Sequence, residues 1–234
     1  MSSPSTLKLT TPPAHEDCPP QQLVKWSLER FQDQRLVLTT GLGMEGCVLI
    51  DLYARQQAEL DVIYLDTGFF FPQTHRLLDR LKVRYPHLNF INKGTPLTPQ
   101  DQAELYGDEL WKRDPDLCCR LRKVVPMEKA LADVDVWVTG LRRGQSAQRA
   151  NLRQVEWNWK YQVVKISPLA YWTRKQVRRY VDENGVPYNQ LHDRGFPSIG
   201  CTHCTRRVEG LSGDEYSRRG RWSGSEKTEC GLHT

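Results

Sequence analysis

Arg35-Leu-Val-Leu-Thr39, Thr40-Gly-Leu-Gly43 and the apolar run that opens at Met44 decide the fold. The first stretch reads as a buried strand. The second is a glycine-containing turn, and Met44 to Ala58 reads as a helix. A strand that passes through a tight turn into a helix is half of a βαβ unit. The pattern then repeats. Asp61-Val-Ile-Tyr-Leu65 reads as a second strand, and Pro72 starts a helix with Leu77, Leu78 and Leu81 on one face. Asn89-Phe-Ile91, Val134 to Val138 and Gln162 to Ile166 read as further strands. Strands alternating with helices predict an α/β fold with an open, mostly parallel sheet. Thr173 and Gln176 form a capping-box pattern ahead of a helix faced by Val177, Tyr180 and Val181, which Asn184-Gly185 ends.

The 234 residues suit one domain with a tail. Residues 1–22 are expected to be a disordered leader, 23–204 an α/β domain, and 205–234 a Gly-, Ser- and Arg-rich tail that is mobile until it docks. Met1 to Pro20 has no apolar core of a secretory signal, and no run is long enough to span a membrane. The net charge of +5 fits an anionic small substrate and would also fit weak RNA contact. Seven cysteines, an odd number without a signal, argue for metal or thiol chemistry in a reducing, cytoplasmic setting rather than a disulfide framework. Cys47 reads as a small core residue, and Cys18, in the leader, is expected to play no part.

Four stretches carry chemistry. Thr39, Thr40, Gly41 and Gly43 end a strand and open a helix, where backbone N–H groups can hold a phosphate. No Gly-Lys-Ser/Thr follows, so this is not a Walker loop. Leu65-Asp66-Thr67-Gly68 ends the next strand at the same sheet edge, where open α/β sheets bind ligands. Gly140-Leu-Arg-Arg-Gly-Gln-Ser146 is expected to project Arg142 and Arg143 over that edge, with guanidinium forks suited to phosphate and sulfate oxygens. Cys118-Cys119 and Cys201-Thr-His-Cys204 supply four thiols for an iron–sulfur cluster or a structural zinc. Adjacent cysteines, about 100° apart on a helix, favour the corners of a cluster. In the tail, Cys230 sits in Glu229-Cys-Gly-Leu-His233, a polar, Gly-flanked setting for a reactive thiol with no partner cysteine in the tail.

Together these stretches resemble the adenylyl-sulfate and phosphoadenylyl-sulfate reductases. The likeness rests on Leu65-Asp-Thr-Gly68 with Phe71-Pro72, Cys118-Cys119 with Arg122-Lys-Val124, Gly140 to Ser146, Val186-Pro-Tyr-Asn189, and Leu191-His-Asp193. It continues through Gly195-Phe-Pro-Ser-Ile-Gly-Cys-Thr-His-Cys204, Arg218 to Trp222 and Glu229-Cys-Gly-Leu-His233, and spans roughly residues 30 to 234. The resemblance implies an adenine-nucleotide α-hydrolase-like fold and a [4Fe–4S] cluster on Cys118, Cys119, Cys201 and Cys204. It implies that Cys230 attacks the sulfur of adenylyl sulfate, and that thioredoxin or glutaredoxin then releases sulfite, a step of sulfate assimilation toward cysteine. Arg142, Arg143, Arg218 and Arg221 are implied to meet the phosphosulfate, with Lys123 between cluster and substrate. Thr39, Thr40, Gly41, Gly43, Asp66 and His233 complete the expected substrate contacts. No membrane or nucleic-acid partner is expected, and a homo-oligomer is compatible. The alternatives are a phosphoadenylyl-sulfate or dual-specificity reductase, and, more remotely, a tRNA-thiolating enzyme, whose Ser-Gly-Gly-x-Asp-Ser loop is replaced here by Thr-Thr-Gly-Leu-Gly-Met-Glu.

Overall fold

The computed structural model describes residues 17–210 and 218–233. Its strands are β1 (Leu36–Thr40), β2 (Asp61–Tyr64), β3 (Asn89–Asn92), β4 (Val136–Thr139), β5 (Val155–Asn158) and β6 (Val163–Ile166). Its α-helices are α1 (Pro20–Arg30), α2 (Met44–Ala54), α3 (Pro72–Arg84), α4 (Pro99–Tyr106), α5 (Leu110–Arg113), α6 (Pro115–Cys119), α7 (Val125–Ala130) and α8 (Arg174–Asn184). The strands form one sheet in the order β3-β2-β1-β4-β6-β5, parallel except for β5, which runs antiparallel to β6 at the edge.

Side-chain alternation along the strands builds a core on each face. Leu38, Val62, Val136, Val138, Val164 and Ile166 pack with apolar residues of α1, α2, α3 and α8. Val37, Ile63, Trp137 and Val163 face the other way, against Met127 and Ala130 of α7 and against Leu232 of the tail. The C-terminal segment therefore completes one layer of the sandwich.

The order reverses between β1 and β4. Neighbouring connections leave in opposite directions there and open a crevice beyond the strand carboxyl ends. The turn from β1 to α2 is built for that position. Leu42 adopts φ 57, and Thr40 Oγ1 accepts its N–H at 2.9 Å. A Cβ on Gly46 would lie 2.2 Å from Thr40 Oγ1, so only glycine lets α2 start this close to β1.

Three boundaries differ from the sequence expectation. Helix α2 stops at Ala54, not Ala58, and Gln57 beyond it turns into the left-handed region at φ 54. The edge strand β5 was not expected, because its half-buried four residues carry little apolar signal, and its ladder partner β6 supplies the pairing. The leader was expected to run to residue 22, but α1 begins at Pro20. Cys18 is buried in the core, its backbone N–H and C=O held by the side chain of Gln154 at 2.9 and 2.7 Å. Residues 1–16, the rest of the expected leader, lie outside the described residues, as do 211–217 of the expected tail.

The capping box of α8 is formed: Thr173 Oγ1 accepts from Gln176 N at 3.2 Å, and Gly185 closes the helix in the left-handed conformation. Among the described residues no helix is long and apolar enough to cross a membrane.

Candidate active site

An open cleft of about 220 Å³ lies at the β1/β4 crevice. Thr39, Thr40, Gly41 and Gly43 form one wall, and Thr139 and Gly140, at the end of β4, stand beside them. Phe70, Pro197 and Ile199 give this end an apolar surface. Leu65 and Thr67 enter from the end of β2. The arrangement suits a flat heterocycle with a polar, phosphate-bearing extension.

The other end is crowded with positive charge. Lys123, Arg149, Arg218 and Arg221 all line it, and Cys230 lies among them. Arg218 is pushed down to about 10 by burial and then by the neighbouring Arg149 guanidinium. One of its amino groups, Nη2, is buried without a hydrogen-bond partner. Such a cluster is electrostatically incomplete until an anion enters. Burial pushes the Cys230 thiol up, but Lys123, Arg218, a backbone N–H contact at Leu232 and Arg221 together hold it below the ordinary thiol value.

The tail reaches this place through many separate contacts. Its first described turn is fixed to the cysteine loop: Trp222 N–H donates to Cys204 O at 3.1 Å, and Thr205 and Arg221 form an isolated bridge. The buried Trp222 ring is surrounded by Arg221, Arg218, Lys227 and Lys123 at 4.4, 5.2, 5.7 and 5.9 Å. Further along, Gln148 Nε2 donates to Thr228 Oγ1 at 2.7 Å, and Lys160 Nζ to Gly231 O at 2.6 Å. Tyr161 Oη donates to Leu232 O at 3.0 Å. His233 stacks on Trp137 with ring centroids 5.0 Å apart. Burial, and then Arg149, Lys165, Arg218 and Lys160, hold its pKa well below the ordinary histidine value, so the ring is neutral.

Cys118, Cys119, Cys201 and Cys204 are buried and line a second, small cavity of about 10 Å³ beside the cleft. Lys123 and Cys201 line both spaces and form their common wall. The tandem cysteines end α6, and a π-helical turn (Arg120–Val124) follows directly. The wider turn carries Arg122 and Lys123. Burial pushes the Lys123 pKa down, yet Cys201, Cys119 and Cys230 outweigh it and keep the ammonium charged. Among the described residues no three His, Cys, Asp or Glu side chains are drawn close enough to hold a single metal ion. The four thiols line one cavity, with the buried Arg122 and the half-buried Lys123 beside them.

The sequence profile of the phosphoadenosine phosphosulfate reductase domain matches residues 35–207. The chain belongs to this family. Adenosine 5'-phosphosulfate reductase of Halalkalibacterium halodurans is 47% identical over 211 residues, covering 90% of each chain. Adenosine 5'-phosphosulfate reductase 1 of Bacillus subtilis is 46% identical over 90% of this chain and 89% of its own. Among solved structures, the phosphoadenylyl-sulfate reductase of Candida auris in a phosphate complex superposes with a TM-score of 0.70 at 32% identity, over 82% of this chain and 91% of that one. The FMN adenylyltransferase of Candida glabrata, at 16% identity and a TM-score of 0.57, covers 90% of this chain and 73% of its own and shares the fold alone.

For this reductase-family chain, several expected contacts fall elsewhere. Arg142 and Arg143 do not line the cleft. Arg142 is buried with Nε on Glu45 Oε1 at 2.8 Å and Nη1 on Trp172 O at 3.3 Å. Arg143 donates to Leu152 O and Tyr171 Oη and packs on the Tyr171 ring at 4.1 Å. Both guanidinium groups donate to protein acceptors, and Nη2 of Arg142 is buried without a hydrogen bond. Asp66 also stays outside the cleft. Its Oδ1 accepts the Gly68 N–H at 2.8 Å and shapes the turn after β2. Sequence reasoning missed Arg149, Glu45 and His192, which do line the cleft. Arg149 lies three residues past Ser146, and the three-residue spacing along a helical turn was the available signal.

Proposed function

We propose that this protein reduces adenylyl sulfate to sulfite and AMP, with Cys230 as the nucleophile. The observation that carries the reading is the Cys230 thiol, held low and surrounded by Lys123, Arg218 and Arg221 at the anionic end of a nucleotide-shaped cleft. The names of the relatives support the choice of nucleotide.

The adenine and ribose lie along Thr39 to Gly43 and the apolar wall of Phe70 and Ile199. The phosphosulfate lies among Lys123, Arg218 and Arg221, which offset the repulsion between a dianionic group and a thiolate. The Cys230 Sγ lone pair attacks the sulfate sulfur. The sulfur–oxygen bond to the phosphate breaks, AMP leaves with that electron pair, and an S-sulfocysteine remains. AMP is a stable anion, so this step needs no strong general acid. A dithiol then supplies two electrons. One thiolate attacks Cys230 Sγ and sulfite departs, and the second thiol resolves the mixed disulfide. Thioredoxin or a glutaredoxin supplies that dithiol, because the described tail holds no second cysteine. Seven free thiols suit the reducing cytoplasm.

Cys118, Cys119, Cys201 and Cys204 hold a [4Fe–4S] cluster in this reading. The cluster would supply a compact anionic charge next to the shared wall. Lys123, which lines both spaces, stays protonated there.

Enzyme incubated with adenylyl sulfate and no reductant gains about 80 Da on the Cys230 peptide, one sulfo group on one thiol. An adduct on Cys47 or Cys18, or full turnover by Cys230→Ser, overturns the reading. A higher kcat/KM for the 3'-phosphorylated nucleotide moves the protein to that substrate. Anaerobically purified protein carries about four irons per chain; one zinc without sulfide overturns the cluster.

A further inference from the structure

The residue before the nucleophile is a buried acid in a cation-rich pocket. Glu229 Oε1 accepts from Arg149 Nε at 3.0 Å and from Ser146 Oγ at 3.0 Å. Oε2 accepts from Arg149 Nη2 at 2.8 Å, and Arg218 Nη2 stands 3.4 Å away without a hydrogen bond. Arg149 is itself fixed from behind by Gln145. Both partners of the pair are under a tenth exposed. A fork-on-fork contact of this kind fixes orientation as well as position. It lies one peptide unit from Cys230, on the segment that carries Ser146, Gln148 and Arg149.

We propose that Glu229 is a positioning residue: its carboxylate, gripped by Arg149 and Ser146, is the latch that seats Cys230 against the cleft and lets it leave for reduction. The inference rests on the reading of Cys230 as nucleophile. The physical logic is one of charge. A buried ion pair forms only when both partners meet, so docking of the tail is all-or-none at this point. Glu229 is shared between Arg149 and, at 3.4 Å, Arg218, and Glu45 is matched by Arg142, so Lys123 and Arg221 are left to the substrate with the part of Arg218 that Glu229 does not hold. A reversible latch also suits the chemistry. The sulfo-cysteine must become accessible to a protein dithiol, so the Glu229 pair releases together with the Leu232 packing and the His233 stacking on Trp137, while the strand ladder stays formed.

Two variants test this. Glu229→Gln keeps the shape and removes the charge. Ser146→Ala removes one hydrogen bond to the same oxygen from a residue outside the cleft lining. Three quantities are read on full-length protein: the rate of sulfo transfer in a single turnover, the rate of Cys230 carboxamidomethylation by iodoacetamide without nucleotide, and the affinity for AMP. Glu229→Gln slows sulfo transfer about tenfold to a hundredfold, the effect of one lost charged hydrogen-bond pair. It speeds alkylation, because the tail spends more time undocked. AMP binds equally or more tightly, since a negative charge has left the anion pocket. Ser146→Ala moves the first two quantities the same way by a smaller factor, and adds nothing once Glu229 is Gln. General loss of structure cannot give opposite signs for transfer and alkylation together with unweakened AMP binding.

Sulfo transfer within twofold of wild type in Glu229→Gln overturns the proposal. So does slower alkylation, or AMP affinity falling by the same factor as the transfer rate, which makes Glu229 part of the nucleotide site. Additive effects of the two variants overturn it as well. If wild type itself transfers no sulfo group, the reading of the reaction fails, while the alkylation and AMP measurements still decide the latch.

Discussion

Two pairs of arginines read alike in the sequence and end in opposite roles. Arg142 and Arg143 follow β4 at the edge where ligands bind, and Arg218 and Arg221 lie in a polar tail that a single bridge, Thr205 to Arg221, ties to the cysteine loop. The first pair has the better local address, yet it is the second that lines the cleft. The difference lies in what each guanidinium finds on folding. Arg142 and Arg143 meet a carboxylate, carbonyls and a tyrosine, and these occupy most of their donors. Arg142 and Arg218 each keep a buried Nη2 without a hydrogen bond, but only Arg218 lines the cleft, where it stands 3.4 Å from Glu229 Oε2 and beside Cys230. What separates the pairs is place: a buried donor without a hydrogen bond draws an anion where the fold opens it to the cleft.

Mutations separate the pairs. The largest effect belongs to the tail. Replacing Arg218 and Arg221 together by Ala is expected to lower kcat/KM by about a thousandfold, the loss of transition-state charge stabilisation from two donors. Steady-state rates with the far-UV circular dichroism spectrum as a folding control measure it, and a loss under tenfold breaks the contrast. Next is Arg142→Ala, which strands the Glu45 carboxylate. Thermal or urea unfolding should show about 3 kcal/mol of lost stability, and Glu45→Gln in the same chain should recover part of it. If Arg142→Ala lowers kcat/KM as much as the tail variant while stability holds, the two pairs share one role after all. Arg143→Ala should cost about 1 kcal/mol, from lost packing on Tyr171 and neutral hydrogen bonds, and leave kcat/KM within about twofold.

The smallest expected effect is on pH dependence, and it concerns what holds the tail pair in place. His233 has a folded pKa below its unfolded value, so the unfolded state takes up the proton first. Its contribution to docking is present above about pH 6.5 and is lost as pH falls below it. Glu229 is also depressed: burial pushes it up, but Arg149 and Arg218 outweigh that. Its contribution is present above about pH 4.3 and lost at lower pH. Both signs run the same way, so acid loosens the tail, His233 first. The melting temperature should fall between pH 7 and pH 5.5, and His233→Asn should shrink that fall. A fall of equal size in the variant removes His233 from the account.

Much of the fold was legible because it rests on local pattern. Strand periodicity, the β1 turn and the α8 capping box each depend on residues within a few positions of one another, and these elements form as the sequence indicates. Strand β5 was not legible, since a half-buried four-residue strand gains its identity from β6 alone. Cys18 was misjudged for a similar reason: its partner Gln154 is 136 residues away.

The chemistry divides along the same line. The sequence by itself determined which thiols exist, their spacing and the turn that ends β1, because a tandem pair, a CxxC and a lone tail cysteine are covalent facts of the chain. Only the tertiary structure decided which cations reach Cys230. That choice depends on the competition among acceptors hundreds of atoms apart along the chain, where Glu45 captures Arg142, Glu229 holds Arg149 and draws Arg218 to 3.4 Å, and Lys123 and Arg221 line the cleft beside the sulfur. Local sequence carries no record of such a competition, because its outcome is set by distance and desolvation in the folded core.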